Sequence, residues 1–209
     1  FHSAARNAGV QLHTGIGLQA LRHNADGSFS LELSNDSLAR ADAVCIATGS
    51  LKASPLTRAL EALGHSIEPL APSLFAFNVA DKRTHGLSGL SVQSASVMLI
   101  PSAGTRPSTP VGKKTTPQTG PILITHRGFS GPAILRLSAW EARSLQEQNY
   151  HFEIAINWLG NQHENQVREQ FAKLRKHKGR SLVRSKVFDT LPRRLWERIV
   201  EAAGITEDV

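Results

Sequence analysis

The segment Thr125-His126-Arg127-Gly128-Phe129-Ser130-Gly131-Pro132 concentrates most of the reactive side chains that fall together in this chain. An imidazole titrates near neutral pH, so His126 is a candidate catalytic residue, able to donate a proton or to hold a substrate anion. Thr125, Arg127 and Ser130 offer further polar groups beside it. The competing reading is architectural: two glycines and a proline set an unusual turn, and Ser130 caps the helix that opens at Pro132. A second candidate is Ala47-Thr48-Gly49, the end of the apolar run Ala43-Val44-Cys45-Ile46. Small residues at the carboxyl end of a buried strand let a dinucleotide approach the backbone closely.

Several other chemistries are excluded. Gly128-Phe129-Ser130-Gly131-Pro132 has Pro132 where a nucleophile elbow needs its last glycine, which disfavours a serine hydrolase centred on Ser130. Gly112-Lys113-Lys114-Thr115 has Pro107 where a phosphate-binding loop needs its first glycine. The nine histidines are scattered without ligand spacing, so no metal site is expected. Asn35-Asp36-Ser37 has the glycosylation pattern, but no secretory signal accompanies it. The single cysteine, Cys45, excludes an internal disulfide and, sitting in an apolar strand, reads as core.

The elements that must position these residues follow from periodicity. Residues 3–8 end a helix that Gly9 caps, and Val10 to Leu21 is strand-like. Asn24-Ala25-Asp26-Gly27 is a turn, and the alternation in Phe29–Leu33 makes a hairpin with what precedes it. Ala41–Gly49 is expected as a strand buried on both faces. Leu56 to Leu63 forms a short helix stopped by Gly64. Short strands over Ser73–Val79, Leu87–Val92, Ser96–Ile100 and Ile122–Thr125 point to a small antiparallel barrel or sandwich. Residues 101–119, rich in proline, form a hairpin tip. Pro132–Ala142 is a helix, His151–Leu159 a strand, and the remainder helical, with Pro192 opening a last helix that Gly204 stops.

The chain has 209 residues, with 40% hydrophobic and 20% charged, which suits one large or two small globular domains and excludes collagen, coiled coil and wholesale disorder. No apolar run approaches the roughly 18 residues of a membrane helix, so no membrane partner is expected. The net charge of +7 is uneven: residues 168–198 carry eleven basic and three acidic residues, leaving the rest at −1. This stripe is either a solvated helical face or a surface for polyanions, so a nucleic-acid or partner-binding module is the alternative functional reading. The only Met is Met98, and the chain opens on Phe1 without a signal pattern. The expectation is a cytoplasmic piece of a longer polypeptide.

Four stretches together resemble one family: Ala41–Gly49, Gly64–Leu74, Gly86-Leu87-Ser88-Gly89-Leu90-Ser91-Val92, and Thr125–Leu135, with Leu191-Pro192-Arg193-Arg194-Leu195 alongside. In order and over nearly the whole chain they look like the BaiN-like (YhiN-type) bacterial flavoproteins. The chain departs from that pattern at Ser50, at the shortened Leu51–Thr57 and at Pro121. The resemblance implies an α+β fold, with a small antiparallel β-barrel and a helical subdomain preceded by part of a Rossmann-like FAD-binding α/β domain. It divides the chain into residues 1–49 of the flavin domain, a connection over 50–67, a barrel insert over 68–159 and helices over 160–209. It further implies a FAD-dependent oxidoreductase, with NAD(P)H as a reductant and an unidentified small-molecule substrate. Ala47, Thr48 and Gly49 would touch FAD, and Thr125, His126, Ser130 and Gly131 would face the flavin and substrate. The chain has no Gly-x-Gly-x-x-Gly, so by itself it is expected to be inactive and to hold no FAD without the remainder of its polypeptide.

Overall fold

The computed structural model describes residues 1–49, 56–100, 116–178, 182–185 and 188–205. They form two compact units, divided between Leu70 and Ala71. Most of the expected hairpin tip at 101–119, and residues 50–55 of the expected connection, lie outside the described residues.

The first unit opens with α1 (His2–Asn7). Gly9, at φ +78°, donates to the Arg6 carbonyl while Val10 donates to Ala5, the left-handed helix end that glycine adopts most cheaply. An antiparallel meander follows: β1 (Leu18–His23), β2 (Phe29–Leu33) and β3 (Leu38–Ala41), with Leu21 opposite Leu31 and Phe29 opposite Ala41. The expected turn at Asn24–Gly27 joins β1 to β2, its Asp26 carboxylate accepting from the Ser28 amide and hydroxyl and from Arg40. α2 (Leu56–Ala62) lies on β1, and Leu21, Leu56 and Ala59 form a small core.

Two expectations fail in this unit. Val10 to Gly17 is not strand: Val10 and Leu12 are exposed, and β1 begins only at Leu18. The glycines at 15 and 17 and His13 break the alternation that a half-buried strand needs. Ala43–Gly49 is not strand either, and Cys45 is exposed rather than core. A strand buried on both faces needs neighbours to pair with, and no described strand pairs with this run. Val44 and Ile46 instead rest against the small core.

The second unit holds an antiparallel sheet in the order β4-β7-β6-β5-β8, built from β4 (Phe77–Asn78), β5 (Ser91–Ile100), β6 (Gln118–Ile124), β7 (Gly128–Ser130) and β8 (Glu153–Asn157). Register shifts in β5 between Val92 and Ala95, a bulge that brings both residues inward with Val97 and Leu99. The sheet curls until its two ends meet through side chains. The ring of Phe77 on β4 lies 4.9 Å from that of Phe152 beside β8, and Phe129 on β7 lies 5.8 Å from Trp158. These contacts make a half-barrel of an open sheet.

Helix α3 (Pro132–Trp140) packs Ala133, Ile134 and Leu137 against β5, β6 and β7. All three are fully buried, the two larger ones contributing roughly 1.5–3 kcal/mol each. α4 (Ala142–Glu147) leads into β8, whose residues alternate between half-buried and exposed. Between α5 (Glu164–Lys178) and α6 (Arg193–Ala202) the described residues include two hydrogen-bonded turns, Ser185 donating to Leu182 and Leu191 to Phe188. Phe171, Phe188 and Trp196 pack as an aromatic trio, and the Trp196 indole donates to the Val183 carbonyl at 2.9 Å. The fold is α+β, with antiparallel sheets, a half-barrel and a helical part sharing one continuous core within the second unit.

Candidate functional site

The Thr125–Gly131 segment is a hairpin and the start of a helix. The Thr125 amide donates to the Gly128 carbonyl at 2.7 Å, closing a turn whose two central residues are His126 and Arg127. The Thr125 hydroxyl accepts from the Gly128 and Arg127 amides at 3.2 and 3.3 Å. Both side chains at the tip are exposed. The Arg127 carbonyl accepts from the Val79 amide at 2.8 Å, which fixes the tip to the end of β4.

The two glycines serve close backbone approach. A Cβ on Gly128 would sit 2.2 Å from the Phe77 carbonyl oxygen and 2.6 Å from the Val79 nitrogen. One on Gly131, at φ +102°, would sit 2.7 Å from the Pro121 carbonyl oxygen. Gly131 is the N-cap of α3 and Pro132 its first residue, but no side chain caps it, so the expected capping bond from Ser130 is not made. Ser130 pairs with Leu123 and is half-buried.

The structure therefore sorts the candidates. Thr125, Gly128 and Gly131 shape the hairpin. His126, Arg127 and the Ser130 hydroxyl are the polar groups it presents or keeps near its surface. Arg127 beside His126 gains significance only once the turn is seen to be two residues long, because both then occupy its tip. Ala47, Thr48 and Gly49 belong to the first unit, where all three are exposed. Among the described residues nothing meets a Cβ placed on Gly49 within 4 Å.

The basic stripe resolves into separate tasks. On α6, Arg193 pairs with Glu197 at 2.8 Å and Arg198 with Glu201 at 2.9 Å, while Arg194 donates to the Gly86 carbonyl. On α5, Arg168 pairs with Glu164, and Lys173, Arg175 and Lys176 are exposed. Arg180 and Lys186 lie outside the described residues. Two of the three α6 arginines thus seat that helix beside the Lys82–Thr84 turn, Arg194 donating to Gly86 and Arg198 to His85, rather than forming a charged face.

That turn carries the clearest electrostatic feature. The Arg83 guanidinium beside Asp81 holds its carboxyl below the ordinary value of 3.8, with the Arg83 amide adding a second hydrogen bond. A carboxylate with a lowered folded-state pKa contributes stability that is complete above its ordinary value and fades as the pH falls through the folded-state value. Arg83 is largely exposed, so solvent screens the pair. Asp81→Asn is expected to cost a few tenths of a kcal/mol at pH 7 and less at pH 3, read by urea unfolding at both. An equal cost at both would show that the carboxylate charge is immaterial.

Among the described residues no group of His, Cys, Asp and Glu could hold a metal, and no helix is long and apolar enough to cross a membrane. A search of curated proteins finds no match. A family defined as "HI0933-like protein barrel and H2TH domain" matches residues 71–209, the whole of the second unit. Its two named parts correspond to what this unit contains, a curled antiparallel sheet and two helices with two turns among the described residues between them. With two thirds of its length matched, the chain belongs to this family, that of the BaiN-like (YhiN-type) flavoproteins.

Proposed function

We propose that the chain supplies the barrel-and-helix insert of a FAD-dependent oxidoreductase, together with a strip of its flavin domain. The observation that carries this reading is the match of the entire second unit to a flavoprotein family. FAD, when bound, supplies the electron-transfer chemistry, and the protein positions and tunes it. The residues present fit part of that cofactor. Ala47, Thr48 and Gly49 are small and exposed, which suits a close contact with one edge of FAD. No Gly-x-Gly-x-x-Gly turn stands in the chain to receive a pyrophosphate, so these residues make a contact strip and not a complete holding site.

In this reading the Thr125–Gly131 hairpin faces substrate. Thr125, Gly128 and Gly131 hold its shape, the Ser130 hydroxyl orients a polar group, and His126 moves a proton at its imidazole. His126 sits on a turn pinned at both ends, so its backbone is placed reproducibly. NAD(P)H is the proposed reductant and a small molecule the substrate.

The test is the visible spectrum of the complete natural gene product, purified without added cofactor. Flavin bands that bleach with NADH or NADPH under nitrogen support the reading. A colourless, folded protein overturns it. In the flavin-loaded protein, His126→Ala is expected to lower turnover by roughly 10²-fold with flavin content unchanged. Turnover within about threefold of the parent would remove His126 from proton transfer.

A further inference from the structure

We propose that the cleft between the Pro72–Asn78 strap and the connection from α4 to β8 binds a small, uncharged, planar aromatic molecule. Its volume is about 340 Å³, and its lining includes Pro72, Phe75, Phe77, Asn78, Tyr150 and Phe152. That is the lower end of the range for small-molecule sites, enough for one or two fused rings.

The four rings meet at steep angles. Phe75 lies 5.8 Å from Phe77 at 59°, and 5.9 Å from Tyr150 at 77°. Phe77 lies 4.9 Å from Phe152 at 73°. Edges and faces therefore alternate around the cleft, which is how aromatic quadrupoles attract a further ring. Phe77 is 3% exposed and forms the floor, while Tyr150 is 40% exposed at the mouth. Among the described residues no charged side chain lines the cleft, so an ion entering it would give up hydration without compensation. Asn78 and the Tyr150 phenol are the polar groups available to a ligand with one hydrogen-bonding edge.

The backbone supplies a second, independent observation. Leu74 and Tyr150 both adopt the left-handed conformation, at φ +56° and +59°. Asn149 does so at φ +50°, but it terminates α4 and donates to the Gln146 carbonyl, a usual place for asparagine. At Tyr150 it completes the turn that the His151 amide closes on the Gln148 carbonyl at 3.0 Å, but no such role accounts for Leu74, which is 65% exposed. Bulky residues held this way persist where the surroundings over-determine them, and such residues gather at ligand clamps. Here the constraint is visible. The Phe75 amide donates at 3.0 Å to the hydroxyl of fully buried Ser138, which donates in turn to the Leu135 carbonyl at 2.8 Å. The strap is thus fastened to α3 in a conformation that keeps Phe75 facing the cleft.

The inference does not rest on the flavin reading, because none of these residues belongs to Ala47–Gly49 or to the Thr125–Gly131 hairpin. Tyr150 is the only tyrosine, so labelling the whole chain with 3-fluorotyrosine gives one fluorine resonance that reports on the cleft. Titration with 2-naphthol at pH 7 is expected to move that resonance saturably, while cyclohexanol at the same concentrations leaves it in place. Phe75→Leu keeps apolar bulk but removes a ring and is expected to weaken binding about three- to tenfold. Phe152→Leu serves the same purpose should Phe75→Leu lose its native circular dichroism. Trp140→Ala, 77% exposed and not part of the lining, should leave binding unchanged. A shift that never saturates, one that cyclohexanol matches, or one that survives loss of the ring overturns the proposal.

Discussion

Gly128→Ala is expected to remove much of the stability of the second unit. The added methyl would lie 2.2 Å from the Phe77 carbonyl oxygen, 2.6 Å from the Val79 nitrogen and 3.1 Å from the Asn78 carbonyl carbon. All three are main-chain atoms of β4 and the residue after it, so no side-chain rotation relieves the overlap. Relief requires β4 to leave β7, exposing Phe77 and Phe129, which pair across that junction. The φ of +148° adds a conformational penalty. A cost of at least about 4 kcal/mol is expected, enough to exhaust much of the stability of an ordinary domain. Gly89→Ala isolates the conformational part: Gly89 has φ +89° but nothing within 4 Å of a Cβ, so about 1–2 kcal/mol is expected. Thermal unfolding followed by near-ultraviolet circular dichroism separates the two. Equal shifts in the two variants would show that β4 yields freely, contrary to the tight backbone approach described above.

Trp196→Ala should produce the next largest loss, concentrated in the helices. The indole packs on Phe171 and Phe188 with centroids 6.2 and 5.5 Å away and is 7% exposed. Removing it opens a cavity under both α5 and α6 and takes the donor from the Val183 carbonyl. Large-to-small changes of this kind cost about 3–5 kcal/mol. Trp196→Phe preserves most of the packing and forfeits the hydrogen bond, for about 1 kcal/mol. Amide hydrogen exchange gives the location as well as the size. Protection in α5 and α6 is expected to fall by roughly 10²- to 10³-fold in the alanine variant, and by less in β5 and β6. Equal losses in helices and sheet would mean that the shared core melts as one body, against this expectation.

Much of the fold was legible because its signals are local. Gly9, Gly64 and Gly204 stop helices where glycine alone reaches φ near +80° cheaply, and all three are seen at such angles. Pro132 opens α3, and alternation in residues 153–157 marks β8. Other elements carried no such signal. β7 is only Gly-Phe-Ser, too short for a period, and its pairing is set by backbone contact at Gly128. β3, with Leu38, Ala39 and Arg40 all exposed, has no buried face to mark it and forms because the Ser34–Ser37 turn brings it beside β2. The bulge in β5 hid a ten-residue strand as two short ones. In the opposite direction, Ala43–Gly49 has the composition of a buried strand yet forms none here, since pairing depends on partners that composition does not reveal.

At the candidate site, residue types were readable and their division of labour was not. Thr125 and Gly131 drew notice as polar or permissive residues near a substrate, and the hydrogen bonds and backbone approaches that occupy them depend on the three-dimensional turn. The aromatic cleft was hidden for a similar reason. Phe75 and Phe77 lie on one side of it and Tyr150 and Phe152 on the other, far apart in sequence and brought together by the curl of the sheet.

The meeting of Phe77 with Phe152 has a further consequence, for association between copies of the chain. An open antiparallel sheet offers its outermost strands as templates on which another molecule can add a strand, the usual first step toward aggregation. Here one outer strand is two residues long, and the other turns Glu153 and Asn157 outward. The ring contact draws the two toward each other, leaving little straight, apolar edge for a newcomer to follow. A half-barrel fastened by two phenylalanines thus gains protection that full closure obtains with a continuous ladder of hydrogen bonds.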